Sequence, residues 1–259
     1  MSPAGRRQDS TTGWQGYKQT APPKCPYPFS VNSCSKTNHM KIGILGSAEV
    51  GQALGEGFAK EGYDVMLGTR NVNKDELVKW KQAHPGTGIG SFAETAKFGE
   101  MLVLACPGSA VEEVVGLAGA DNFSGKIVID ATNPIAKGEP VGGVLKFFTT
   151  LEDSAMERTQ RLLPKARLVK AFNSVGSTSM YKPAFPGGTP TMFICGDDAA
   201  ARKTVTDILT KFGWETDDMG AAIAARAIEP LCILWCIPGF LRNDWVHAFK
   251  VLRMPAGKG

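Results

Sequence analysis

Lys41-Ile42-Gly43-Ile44-Leu45-Gly46-Ser47-Ala48-Glu49-Val50-Gly51-Gln52-Ala53-Leu54-Gly55 is an apolar run that ends in a glycine turn and passes directly into an Ala/Gly-rich, helix-forming stretch. Strand, glycine turn and helix in that order form the phosphate-binding corner of a βαβ unit. In the G-x-G-x-x-G pattern the first glycine makes the tight turn, the second lets backbone approach a pyrophosphate, and the third lets the helix pack closely on the strand. Here Gly46 and Gly51 hold the outer positions and Ala48 the middle one. Alanine adds one methyl group, so an anion can still be held by the amides and positive dipole end of the helix over Ser47, Ala48, Glu49 and Val50.

The next strand, Asp64–Leu67, runs into Gly68-Thr69-Arg70-Asn71, with Lys74 one helical turn beyond. An NAD-selective site places a carboxylate about 20 residues past the glycines to accept hydrogen bonds from the ribose 2′-hydroxyl. This chain places a guanidinium there instead. Arg70 can fork onto phosphate oxygens and Thr69 can donate a further hydrogen bond, so a 2′-phosphate fits and NADP(H) is expected rather than NAD.

Outward from this corner, short apolar runs alternate with helix-forming stretches, the signature of repeated βα units. Further strands are expected at Met101–Cys106, Lys126–Ala131, Arg167–Ala171 and Thr191–Cys195, with another at Trp214–Asp218. Helices are expected at Val50–Glu61, Lys74–His84, Ala110–Leu117, Ser154–Leu163 and Asp198–Phe212. The fold class is α/β, a Rossmann-type, doubly wound and mostly parallel sheet over residues 40–220, with a helical C-terminal layer (221–259) packed on the same domain. Pro230 should kink that layer or mark its first break, and Pro238-Gly239 should punctuate it before a further stretch, Phe240–Leu252. Ligands in such sheets bind beyond the carboxyl ends of the strands. Those ends carry Cys106-Pro107-Gly108-Ser109, Thr132-Asn133-Pro134 and Ala171-Phe172-Asn173. Asn173 presents an amide suited to positioning a carboxamide or substrate. Lys170, alternating with inward residues, is read as pointing to solvent.

Composition removes several classes. The chain has 259 residues, 43% hydrophobic and 21% charged, as expected of a globule. Its formal charge of +4 resides in residues 1–39, where Arg6, Arg7, Lys18, Lys24 and Lys36 face only Asp9. The remainder is balanced, so no electrostatic footprint for nucleic acid is present. The longest uncharged apolar run, Pro230 to Leu241, has 12 residues, short of the roughly 18 that span a bilayer, and no membrane span is expected. Six cysteines without C-x-x-C, and three histidines without a ligand pattern, point to no metal site. Neither a Ser/His/Asp set nor a P-loop is present. No catalytic side chain is assigned, which agrees with hydride transfer, because a reduced nicotinamide already carries the reacting hydrogen. Residues 1–39, rich in Ser, Thr, Pro, Gly and Gln, read as a flexible N-terminal tail. Cytoplasmic placement is expected, with organellar transit by the tail the alternative.

Gly46–Gly51, Gly68-Thr69-Arg70-Asn71, Asp130-Ala131-Thr132-Asn133-Pro134, Val169-Lys170-Ala171-Phe172-Asn173 and Met192-Phe193-Ile194-Cys195-Gly196-Asp197-Asp198 occur in this order. Together they resemble the coenzyme F420-dependent NADP oxidoreductase family, related to the cytosolic part of STEAP metalloreductases. The resemblance runs from Met40 to about Leu241 and implies hydride exchange between NADP(H) and a flavin or deazaflavin co-substrate. It implies phosphate contacts from Ser47 to Val50, 2′-phosphate contacts from Thr69, Arg70 and Lys74, and nicotinamide contacts near Pro107, Asn133 and Ala171. The leading expectation is an NADPH-dependent reductase whose partner is a small-molecule hydride acceptor, a flavin, deazaflavin or carbonyl-like compound. The alternatives are a non-catalytic NADP(H)-binding sensor and an imine reductase resembling pyrroline carboxylate reductase. The apolar density of Leu231–Leu241 points to a core or a homodimer interface.

Overall fold

The computed structural model describes residues 39–254; the expected tail lies outside the described residues except for His39. Among the described residues, eight strands and eight α-helices follow the alternation of the sequence. The first half contains β1 (Lys41–Leu45), α1 (Glu49–Lys60), β2 (Asp64–Gly68), α2 (Asp75–Ala83), β3 (Gly88–Gly90), α3 (Phe92–Phe98), β4 (Met101–Leu104) and α4 (Val111–Ala118). The second contains β5 (Ile127–Asp130), α5 (Ala155–Leu162), β6 (Arg167–Lys170), β7 (Thr191–Ile194), α6 (Ala199–Lys211), β8 (Glu215–Asp218), α7 (Ala225–Ile228) and α8 (Leu231–Arg242). Six strands form a parallel sheet in the order β3-β2-β1-β4-β5-β6. The order reverses between β1 and β4, so a crevice opens beyond their carboxyl ends. A parallel pair, β7-β8, continues the structure through an antiparallel bridge between Lys170 and Cys195.

Strands buried on both faces read as continuous apolar runs, and their alternate side chains feed two cores. Ile42, Ile44, Val65, Leu67, Met101 and Val103 meet α1, α2 and α6 through Leu54, Phe58, Leu77, Trp80, Val205 and Phe212. Leu45, Leu102, Leu104, Val128 and Leu168 meet α3, α4, α5 and α7 through Phe92, Val114, Met156 and Ile228.

Two elements were missing from the sequence reading. β3 is three residues with two glycines, too short for a period to show. The signal for α3 was Ser91-x-x-Glu94, a capping box in which the Ser91 hydroxyl accepts from the Glu94 amide and the Glu94 carboxylate accepts from the Ser91 amide.

The C-terminal layer departs from expectation. Pro230 does separate α7 from α8, but Pro238 lies inside α8, which stops at Asn243 in the left-handed conformation (φ 55°). The segment that follows packs directly on the helix at Gly239, where a β-carbon would fall 2.3 Å from the Trp245 ring. Residues 243–254 are not helical. They return to β7, where the Thr191 amide donates to the Phe249 carbonyl (2.8 Å) and the Val251 amide to the Thr191 hydroxyl (3.1 Å).

The membrane expectation also needs correction. Counting a helical run rather than an uncharged run, Ala222–Arg242 has 21 residues, mean hydropathy 1.5 and 33% of its window buried, enough by length and composition to cross a bilayer. Its first half is tied to the domain by charge: Arg226 forks onto Glu157 (2.9 and 2.8 Å), and Glu229 is buried against Lys170.

Candidate functional site

The turn after β1 is shaped by contacts that only glycine permits. Gly46 has φ 143°, and a β-carbon on it would sit 2.2 Å from the Ala105 carbonyl oxygen; one on Gly51 would sit 2.2 Å from the Gly46 oxygen. Ala48, the N-cap of α1, has extended backbone (φ −80°, ψ −172°), which an alanine adopts without strain, and its side chain makes no cap. The first-turn amides of α1 thus lack a side-chain acceptor and face the crevice with the helix dipole behind them. This donor set fits a pyrophosphate. Ser47 is fixed by the Gln52 side chain, which donates to its carbonyl (2.9 Å).

Beside this corner, the Gly46 amide donates to Gly68 at the end of β2 (3.2 Å). Buried Thr69 accepts from the Asn71 amide (3.3 Å), shaping the turn that carries Arg70 outward. Arg70 is 72% exposed and 3.2 Å from Glu113 of α4. Lys74 precedes α2, 3.7 Å from Glu76. Both cations are open to an anion.

The turns after β1, β4 and β5 meet in one groove of about 570 Å³, lined by Ala48, Glu49, Val50, Ala105, Cys106, Pro107, Gly108, Ala131, Thr132, Asn133 and Ile135. The backbones approach closely: a β-carbon on Gly108 would lie 2.1 Å from the Asn133 carbonyl oxygen. The Cys106 thiol, pushed up to about 12 by burial and by the charge of Asp130, stays protonated at neutral pH. A second pocket of about 430 Å³ adjoins the groove at Gly108 and Ile135, and its walls include Phe148, Lys137, Arg158 and Glu112.

Of the expected site residues, Ala48, Glu49, Val50, Cys106, Pro107, Thr132 and Asn133 line the groove. Gly46, Ser47 and Gly51 build its turn, and Thr69, Arg70, Asn71 and Lys74 stand at the neighbouring strand end. Pro134, Ala171 and Asn173 are buried behind it. The Asn173 carbonyl accepts from the Asn133 side-chain amide (2.7 Å) and its own amide donates to Ile228 (3.0 Å), so Asn173 orients Asn133. Phe172 between them takes a left-handed φ of 64°, a conformation costly for an aromatic residue and held here by its burial.

Lys170 does not point to solvent. It is fully buried, and its ammonium lies 2.8 Å from Asp130, 3.1 Å from Glu229 and 2.9 Å from the Thr132 carbonyl. Burial opposes its charge, yet the two carboxylates outweigh that and hold its pKa above the usual lysine value. The available signal was the register: Lys170 pairs with Asp130 across adjacent strands. Among the described residues no three His, Cys, Asp or Glu side chains are grouped to hold a metal ion.

The family model "NADP oxidoreductase coenzyme F420-dependent" matches residues 41–134, which span the glycine turn, Arg70 and the turns after β4 and β5. The metalloreductase STEAP3 of Rattus norvegicus is 28% identical over 206 residues, 78% of this chain, and the match spans only 39% of that relative's length. A crystal structure of a candidate F420-dependent NADP-reductase from Arthrobacter sp. FB24 is 30% identical with a TM-score of 0.77, covering 83% of this chain and all of that one. A reductive aminase from Aspergillus terreus (17% identical, TM-score 0.56, covering 79% of this chain and 63% of that one) shares the fold alone. With the glycine turn, the cationic strand end and a relative matched over its entire length, the chain belongs to the coenzyme F420-dependent NADP oxidoreductase family and is an NADP-dependent oxidoreductase.

Proposed function

We propose that this chain passes reducing equivalents between NADPH and a flavin, deazaflavin or small carbonyl-like acceptor. One observation carries the reading: the turns after β1, β4 and β5 converge on one groove beside an open Arg70. In it the α1 amides hold the pyrophosphate, Thr69, Arg70 and Lys74 the 2′-phosphate, and Cys106, Pro107, Thr132 and Asn133 flank the nicotinamide. The bound nucleotide supplies the hydride. The adjoining pocket beside Ile135 and Phe148 receives the acceptor. The groove wall carries Glu49 and a protonated Cys106 thiol, and the acceptor pocket carries Glu112, Lys137 and Arg158. Because the nucleotide brings the hydride, the main work of these side chains is to align two redox partners. A second copy of this chain covers the exposed Leu234, Phe240 and Leu241 of α8, a homodimer checked by light scattering.

The test is anaerobic mixing with NADPH and a panel of FMN, riboflavin, a deazaflavin and a cyclic imine. Oxidation of NADPH at 340 nm by a flavin-type acceptor is the expected result. Nucleotide binding without oxidation by any acceptor would leave a non-catalytic NADP(H) sensor.

A further inference from the structure

Lys170, Asp130 and Glu229 form a buried ionic cluster immediately behind the groove wall. Every contact made to the two carboxylates comes from a donor. Asp130 Oδ1 accepts from the Thr132 amide (2.9 Å) and hydroxyl (2.7 Å), and Oδ2 faces the Lys170 ammonium (2.8 Å). Glu229 accepts from the Ala155 and Met156 amides at the start of α5 (3.0 and 2.9 Å) and from Lys170 (3.1 Å). Two carboxylates and one ammonium leave an excess of one negative charge, enclosed at 2% exposure or less.

This charge is one residue removed from the groove. Thr132, which lines it, is gripped on its amide and hydroxyl by Asp130 and on its carbonyl by Lys170. The influence extends to Cys106 on the same wall, whose thiol is raised by burial and also by Asp130.

We propose that the cluster is an electrostatic positioning element that favours the oxidised, cationic nicotinamide over the neutral reduced one, and so makes bound NADPH a stronger hydride donor. It rests on the reading above that the nicotinamide lies at Cys106, Thr132 and Asn133. Removing one unit charge this close behind the groove wall, at an effective dielectric near 20, corresponds to roughly tenfold in the affinity ratio of the two forms. For a two-electron couple, tenfold is about 30 mV.

The experiment is calorimetric titration of NADP+, NADPH and adenosine 2′,5′-bisphosphate, which has no nicotinamide, into the wild type and Asp130→Asn. The variant is expected to raise Kd(NADP+)/Kd(NADPH) about tenfold while affinity for the bisphosphate stays within twofold. An unchanged ratio, or equal weakening of all three ligands, would overturn the proposal and leave the cluster a purely structural staple. Glu229→Gln removes the same charge while keeping the Lys170–Asp130 pair. It should move the ratio in the same direction by a smaller factor, and it decides the matter if Asp130→Asn fails to fold. A wild type that binds neither nucleotide would overturn the NADP(H) site itself, a result distinct from binding with an unmoved ratio.

Discussion

Arg70 and Lys170 stand at the carboxyl ends of β2 and β6, on opposite sides of the switch point, and their surroundings differ in kind. Arg70 is 72% exposed with a single carboxylate at 3.2 Å, a pair that water and salt screen. Lys170 is sealed from water with three oxygen partners at 2.8–3.1 Å. An exposed cation can exchange its partner at little cost, whereas a buried one cannot give up a partner without stranding a charge. The first suits a ligand that comes and goes, and the second a wall that must not move.

The largest expected effect follows from that asymmetry. Lys170→Met leaves Asp130 and Glu229 buried without their counter-ion, and removing one partner of such a group costs about 3–5 kcal/mol. Chemical denaturation should show a loss of that order. Arg70→Ala, whose one ionic partner among the described residues is exposed, should stay within about 1 kcal/mol of the wild type. Comparable losses for the two variants would erase the distinction.

In binding the order reverses. Arg70→Ala should weaken NADPH by roughly tenfold to a hundredfold, the value of about one charge-assisted contact to phosphate. NADH, which has no 2′-phosphate, should be affected by less than about twofold. Fluorescence titration of both nucleotides checks this, and equal losses would remove Arg70 from the phosphate site.

The sequence made one of these cations legible and misplaced the other, for a physical reason. Arg70 follows the glycine turn at the spacing where an NAD site would carry an acid, so local order was enough. Lys170 ends the strand Arg167–Lys170, where a charge is ordinarily assigned to solvent, but Leu168, Val169 and Lys170 are all buried. Its burial depends on Glu229, more than fifty residues away, and on register with Asp130. The same division holds for the site. That Ala48–Val50, Cys106–Pro107 and Thr132–Asn133 line one groove was legible because each follows the carboxyl end of a strand. That Asn173 serves Asn133 from behind was not, because its partners lie in the turn after β5 and at Ile228 of α7. In the fold, seven of the eight strands and five of the longer helices were visible from apolar runs and helical periodicity. The continuation of α8 through Pro238 was hidden because Pro238-Gly239 reads locally as a break, whereas the Trp245 ring that packs on Gly239 comes from the segment beyond the helix.

The smallest expected effect tests whether the exposed end is held in reserve. Glu113 is the only carboxylate within 4 Å of Arg70 among the described residues, and it is 54% exposed. A 2′-phosphate arriving at Arg70 must displace this carboxylate and meets its like charge, while the pair being broken contributes at most about 1 kcal/mol. Glu113→Gln removes both the competitor and the repulsion, so NADPH should bind about two- to fivefold tighter and NADH about as before. Because both partners are in water, the gain should shrink as ionic strength rises from 0.05 to 0.5 M, where the screening length falls to about 4 Å. A gain that survives high salt would mean that Glu113 acts through the packing of α4. Weaker binding in the variant would mean that the carboxylate pre-orients the guanidinium for its ligand instead of competing with it.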